Sequence, residues 1–261
     1  MKKIIFLILS LFSLSLLHAQ VEVLDDLLEE SEIRLYKQRS IFGGFHTNGF
    51  ELGFRWGKMP TIKRYVFQEV EFTQLKHYKF TYRRGVSVNF FSRNFMYGVL
   101  NEAYSLRYGW GMASIITEKP FWGGVSTSWF FAGGAELLLA IPQYLNVWYP
   151  VDSVATTDGW QFRYATRVEK YDPNNPQHAD GQFIEGRGPY FKGVLNLRPY
   201  PGIYAKAGFS FEFGKYQERL HQVEIGAMVD FFPIPVSMMA HLPKTWWMLN
   251  GYITYHFGWR K

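Results

Sequence analysis

Ten charged side chains stand at alternate positions inside otherwise apolar runs of this 261-residue chain: Glu51, Arg55, Glu69, Glu71, Arg107, Glu136, Lys206, Glu212, Glu224 and Asp230. Seven acids and three bases on one face of such runs suit two kinds of chemistry. They can line a selective cation path or a proton relay, or they can pair into a polar core that holds the runs together. The paired core is preferred, because an unpaired buried charge is so costly. Its acid excess leaves some carboxyl groups to be protonated or hydrated.

A second set, Lys79, Arg83, Arg84 and Arg93, contains no acid and is interleaved with Tyr78, Phe80, Tyr82, Phe90 and Phe91. Cations with aromatic spacers suit the phosphates and carboxylates of lipopolysaccharide, and recognition of a specific glycan or protein is the alternative. His46 and His77 are the residues on which a rim-sited enzyme would rest. No nucleophile elbow, zinc-protease motif or phosphate-cradling loop accompanies them, so no catalytic, cofactor-binding or metal-ligating residue is expected. The DPNNP stretch at 172–176 lacks the acid and glycine positions of a calcium loop and reads as a turn. The GRGPYFKG stretch at 186–193 reads as a rigid loop turn, with a constriction folded into a barrel mouth as the alternative.

The elements that carry these residues have a period of two. In FELGFRW, residues 50–56, large apolar groups alternate with charge or glycine, which is a strand with one greasy side. The same alternation runs through 66–72, 104–110, 125–139, 205–213, 223–231 and 253–259. An eighth strand, 41–47, is joined to its neighbour by Asn48-Gly49, a tight-hairpin signal. A weaker run, Trp160–Lys170, extends a hairpin beyond the barrel or raises the count to ten. The connections alternate. Those expected at one end, 58–63, 113–119 and 215–219, are short. Those at the other, 77–94, 142–199 and 233–245, are long, with 46–49 as the exception.

Composition narrows the setting. With no Cys, thiol chemistry, iron–sulfur sites and disulfide scaffolds are excluded. Lys2 and Lys3, an apolar stretch to Leu17 and Ala19 before Gln20 give residues 1–19 the form of a cleaved signal peptide, leaving 261 − 19 = 242 residues. Beyond it no apolar run approaches the roughly 18 residues of a spanning helix, so any membrane role must use strands. Residues 20–40 form an expected periplasmic lead-in, with an amphipathic helix over Val21–Lys37. Removing two lysines lowers the net charge from +6 to +4, too mild and too scattered for nucleic acid.

A soluble barrel would turn the greasy faces inward, and a membrane barrel turns them to lipid. Glycines, small residues and isolated charges of both signs on the opposite faces favour the second. So do Trp56, Tyr65, Tyr108, Trp110, Trp122, Trp129, Tyr255 and Trp259, which lie toward strand ends like interfacial anchors. Gln68 and Glu102, in phase with the apolar faces, fit only above or below the hydrocarbon.

The segments IFGGFHTNGFELGFRWG at 41–57, YGVLNEAYSLRYGWG at 97–111, GRGPYFKG at 186–193 and PGIYAKAGFSFEFG at 201–214 resemble a family of small, largely uncharacterised outer-membrane β-barrel proteins of the Bacteroidota. The terminal Tyr255, Phe257 and Trp259 resemble the signal read by the barrel-insertion machinery, although Arg260 and Lys261 displace the usual final aromatic. The resemblance implies an outer-membrane place, no established reaction, and a possible accessory role beside secretion or gliding machinery. The expectation is an all-β, closed antiparallel transmembrane barrel of about eight strands over 41–261. It has one long external loop at 142–199, no cofactor, and lipid and lipopolysaccharide as surroundings. Its role is structural or interactive. An accessory subunit, a narrow channel and a rim-sited enzyme are the alternatives.

Overall fold

A computed structural model describes residues 37–261, apart from 62, 78, 80, 86–93, 119–123, 157–158, 180–182, 214–218 and the side chains of 154–162. The expected signal peptide, the helix before Lys37, Arg93 and Trp122 lie outside the described residues. In chain order the strands are β1 (Lys37–His46), β2 (Gly49–Thr61), β3 (Arg64–Leu75), β4 (Thr81–Arg84), β5 (Asn94–Tyr97), β6 (Asn101–Thr117) and β7 (Ser126–Pro142). They continue as β8 (Tyr144–Thr156), β9 (Gly159–Lys170), β10 (Ile184–Arg187), β11 (Arg198–Phe213), β12 (Arg219–Val236) and β13 (Thr245–Arg260). Two short helices, α1 (Pro176–Ala179) and α2 (Tyr190–Val194), flank β10.

The eight strands expected from the alternation close a ring in the order β1-β13-β12-β11-β7-β6-β3-β2, every neighbour antiparallel. The Trp160–Lys170 run is β9, which pairs with β8 in a separate sheet of order β10-β8-β9, so it adds no stave to the barrel. β1 starts at Lys37, four residues before the expected start at Ile41. Lys37 is thus a strand residue, its N–H and C=O paired with Lys261. The alternation continues there in polar residues: Gln38 and Ser40 are buried, Lys37 and Arg39 exposed. β6 likewise runs through the expected 113–119 turn to Thr117.

Following paired residues round the ring from Ile41 leads through Phe54, Val70, Tyr108, Ala135, Ile203 and Phe231 to Trp247. That is ten residues from Phe257, with which Ile41 pairs directly. Eight strands with this offset tilt by about 40° and enclose a backbone cylinder of about 8 Å radius. Such a cylinder has room for side chains and none for a wide channel.

The two faces are partitioned in the sense opposite to a soluble protein. On β13, Trp247, Leu249, Ile253, Tyr255, Phe257 and Trp259 are exposed, while Met248, Asn250, Tyr252, Thr254 and His256 are buried. On β3, Val66, Val70 and Phe72 face outward, and Glu69, Glu71 and Thr73 are fully buried. Apolar surface outside and charge inside is stable only where the surroundings are apolar, which makes this a transmembrane barrel. Inward glycines leave space for large neighbours: a Cβ at Gly109 would collide with the Tyr204 hydroxyl, and one at Gly111 with the Phe67 ring.

The awkward positions resolve by height. Gln68 lies between Trp56 and Trp110 on the adjoining strands and accepts a long hydrogen bond from the Tyr108 hydroxyl (3.5 Å). Glu102, at the loop end of β6, pairs with Arg187 at 2.5 Å. Tyr65 is a correction. It is buried beside Phe67 rather than an outward anchor, because it shares the parity of the inward Glu69. Of the two readings of the GRGPYFKG segment, the constriction in the mouth falls away: the segment runs from the end of β10 into α2 and packs over the outer flank of β7, with Gly193 against Ile141 and the Pro142 carbonyl.

The outward assignment predicts asymmetric costs for added charge. Ile253→Lys, in the middle of the apolar belt, should lower unfolding stability in lipid vesicles by about 2–4 kcal/mol. Val151→Lys, on the sheet beyond the barrel, should change it by less than about 0.5 kcal/mol. Denaturant titration read by boiled-against-unboiled gel mobility measures both.

Candidate functional site

The lumen holds a continuous chain of alternating acids and bases. Strand register sets its lateral links: Arg55 is paired across from Glu69, Glu71 from Arg107, and Arg107 from Glu136. Closure of the ring supplies the links across the barrel. Arg55 donates Nε to Glu69 Oε2 at 3.0 Å and grips Glu224 with both terminal nitrogens, Nη2 reaching Oε2 at 3.0 Å. Lys206, from the far wall, reaches Glu69 Oε1 at 2.7 Å and also contacts Glu71. Arg107 donates to Glu136 Oε1 at 3.1 Å and Asp230 Oδ1 at 2.7 Å, with Glu71 at 3.7 Å. The order Glu224, Arg55, Glu69, Lys206, Glu71, Arg107, then Glu136 and Asp230, is one network joining β2, β3, β6, β7, β11 and β12.

Further polar side chains complete the shells. Tyr204 donates to Glu69 at 3.2 Å and Ser105 to Glu136 at 2.5 Å, while Gln222 reaches Glu224 at 2.7 Å and His256 lies 3.1 Å from it. The Arg55 guanidinium sits over the Phe67 ring at 4.1 Å, with Phe42 and Phe130 at 5.5 and 5.6 Å, an aromatic box around a cation. These aromatics and His256 were not singled out from sequence, although parity pointed to them: Phe67 is in phase with Glu69, Phe130 with Glu136, and Tyr204 with Lys206.

Two of the ten expected residues stand apart. Glu212 lies at the turn end, bonded by both oxygens to Arg260 (2.9 and 2.5 Å), which also holds Gln38. It is a rim pair, because β11 carries it past the last interior tier. Glu51 is 3% exposed and faces the lumen, with no hydrogen bond or ion pair within 4.0 Å among the described residues.

Above the charges the mouth is closed by Leu75, Leu138, Phe232, Val236, Met238 and Met248, a buried apolar plug. Beyond it a further core of Phe95, Leu145, Val147, Tyr171 and Ile184 supports the β10-β8-β9 sheet. Of the basic set, Lys79, Arg83 and Arg84 are exposed at this loop end, Arg83 stacked 4.0 Å over Tyr97 in the β4–β5 hairpin. The DPNNP stretch is a turn, with the Asn174 N–H donating to Asp172 Oδ1 at 3.0 Å. His46 and His77 each spend Nδ1 on a backbone N–H of a turn, from Asn48 and Lys79 respectively, at 3.2 Å. This is a structural use of both rings.

No family model matches the chain, and no curated protein sequence does. Among solved structures, the chain is similar to Ail, the attachment invasion locus protein of Yersinia pestis, in complex with the heparin analogue sucrose octasulfate. That match has 11% identity and a TM-score of 0.39, covering 88% of this chain and all of the other. Neisserial surface protein A matches at 8% identity and 0.36, covering 86% and 96%. The N-terminal β-barrel domain of Pseudomonas aeruginosa OprF matches at 8% and 0.30, covering 85% and 97%. At these values the likeness adds nothing to the strand pairing and burial described above.

Removing one member of the network should leave its partners charged and dry. Arg55→Met is expected to cost about 3–5 kcal/mol, and combining it with Glu224→Gln should recover part of that. Arg260→Met, which leaves Glu212 close to water, should cost about 1 kcal/mol or less. Equilibrium unfolding in detergent micelles measures all three.

Proposed function

We propose that the chain is an outer-membrane β-barrel protein with a structural and interaction role, exported by removal of residues 1–19 and allied to the Bacteroidota barrels it resembles in sequence. The observation that carries this reading is the contrast between its two ends. The lumen is filled by a continuous ion-pair network under an apolar plug, whereas the loop end bears a second sheet with its own core. A barrel used for diffusion gains nothing from bridging its lumen with Arg55, Lys206 and Arg107. A barrel used as a mount gains rigidity.

Lys79, Arg83 and Arg84 stand on the lipopolysaccharide side in this reading and meet its acidic groups. The β10-β8-β9 sheet favours a second reading, an accessory subunit of a secretion or surface-assembly complex, since it forms a platform separate from the barrel wall. No reaction is assigned to either. Recording in planar bilayers distinguishes mount from channel: the folded protein is expected to give no unitary current steps at moderate voltage. Reproducible steps abolished by substitution of Lys206 would overturn the proposal in favour of a narrow channel.

A further inference from the structure

The turn after β10 carries the two most exposed large apolar side chains among the described residues, Phe191 at 81% and Leu195 at 86%. Beyond Val194 the coil of α2 continues to Leu197. The Leu195 N–H donates to the Phe191 carbonyl at 3.1 Å, that of Asn196 to Gly193 at 3.0 Å and that of Leu197 to Val194 at 3.3 Å. At about 100° per residue this coil has three sides. Gly193 lies on the barrel wall, where a Cβ would stand 2.7 Å from the Pro142 carbonyl oxygen and 3.0 Å from Ile141, so a side chain would push the helix off. Lys192 and Asn196 turn to the external sheet. Lys192 Nζ donates to the Val168 carbonyl at 3.3 Å and sits 5.3 Å from the Tyr144 ring centre, and Asn196 Nδ2 donates to the Tyr144 hydroxyl at 3.1 Å. The remaining arc holds Phe191, Val194, Leu195 and Leu197, all apolar.

This arc joins the lipid-facing surface of the barrel. From Phe209 on β11 up to Leu197, every second residue is apolar and exposed. Its level agrees with that continuity. Ile141, under Gly193, is four residues above the exposed Leu137 of β7, about 10 Å along the axis at this tilt. A helix at that height reaches back with its apolar side chains to the boundary between headgroups and acyl chains. The charges agree as well, since residues 186–200 contain Arg187, Lys192 and Arg198 and no acid, which suits an anionic membrane surface.

We infer that α2 and the turn to Leu197 form an in-plane anchor, which sinks Phe191, Leu195 and Leu197 into the lipid of the loop-side leaflet and seats the β10-β8-β9 sheet on the membrane surface. The inference rests on the membrane-barrel reading above. Lipid is the occupant because the arc continues the column that already faces lipid, at the height where the belt ends. The anchor is tied to the sheet through Lys192 and Asn196, and through the Gly188 N–H, which donates to the Tyr144 carbonyl at 2.8 Å. Its effect is to fix the tilt of the external sheet over the bilayer.

Because the chain has no Cys, Leu195→Cys, Val151→Cys and Ile253→Cys can each carry one environment-sensitive fluorophore. The labelled proteins are folded into vesicles of phosphatidylcholine and phosphatidylglycerol, with fold checked by the gel shift on boiling. Iodide quenches from water, and phosphatidylcholine spin-labelled near the top of its acyl chain quenches from lipid. The label on Leu195→Cys is expected to be quenched by the spin-labelled lipid and to be about threefold less sensitive to iodide than the label on Val151→Cys. Val151, 62% exposed on the same external sheet, should show the reverse preference. Equal iodide sensitivity at the two positions would overturn the inference and leave the face to a protein partner. Shielding of Leu195→Cys that fades as the protein is diluted in lipid would overturn it in favour of a second copy of the chain. Ile253→Cys separates the two readings. If its label is shielded from iodide while that on Leu195→Cys is not, only the anchor falls. If its label is open to iodide in folded protein, the membrane-barrel reading falls with it.

Discussion

Everything in this barrel depends on bringing opposite charges together across a lumen too narrow to hydrate them. Eight strands offset by ten residues leave a cylinder of about 8 Å radius, so a side chain from one wall reaches the other. Lys206 on β11 thereby meets Glu69 and Glu71 on β3, and Arg107 on β6 meets Asp230 on β12. In so dry a space a missing partner costs more than the pair contributes, and the network therefore acts as a specification of register more than as a source of stability. A slip of one residue on any of the joined strands would turn its charges toward lipid and its outward aromatics into the lumen.

The same narrowness explains the inward glycines and aromatics. A lumen crossed by two guanidinium groups still has gaps, and Phe42, Phe67, Phe130 and Tyr204 fill them where Gly53, Gly109 and Gly111 leave room. Around Arg55 the rings also lie close enough to the cation to interact with its charge directly. At the loop end charge gives way to Leu, Phe, Val and Met, and the plug isolates the network from the water above. The long loop then folds outward as well as upward. Arg187 neutralises Glu102 on the outer flank, and Gly193 packs on Ile141, which places α2 against the wall.

By itself the sequence determined the staves and their faces. The alternation in 50–56, 66–72 and 253–259 is local, and side-chain direction in a strand follows parity, so the outward Trp56, Val70 and Tyr255 and the inward Glu69, Glu71 and Glu224 were legible without a partner strand. Asn48-Gly49 announced the first hairpin in the same way. Tyr65 obeys the same rule, its inward direction set by its parity with Glu69 and not by its aromatic type.

Only the tertiary structure decided which charges meet. Arg55 and Glu69 are neighbours by register, but Arg55 and Glu224 are 169 residues apart and come together because the ring closes. Closure also separated Glu212 from the other nine by carrying it past the last interior tier to Arg260, and left Glu51 buried without a hydrogen bond or ion pair among the described residues. The low wall beside β13 could not be read locally either: an Asn-Gly turn states that a hairpin is short, and only the length of β13, which runs to Thr245 while β1 stops at His46 opposite Tyr252, shows that the wall there is low. Parity is a property of one strand, whereas pairing across a lumen and the height of a rim are relations among several, fixed by offset and closure.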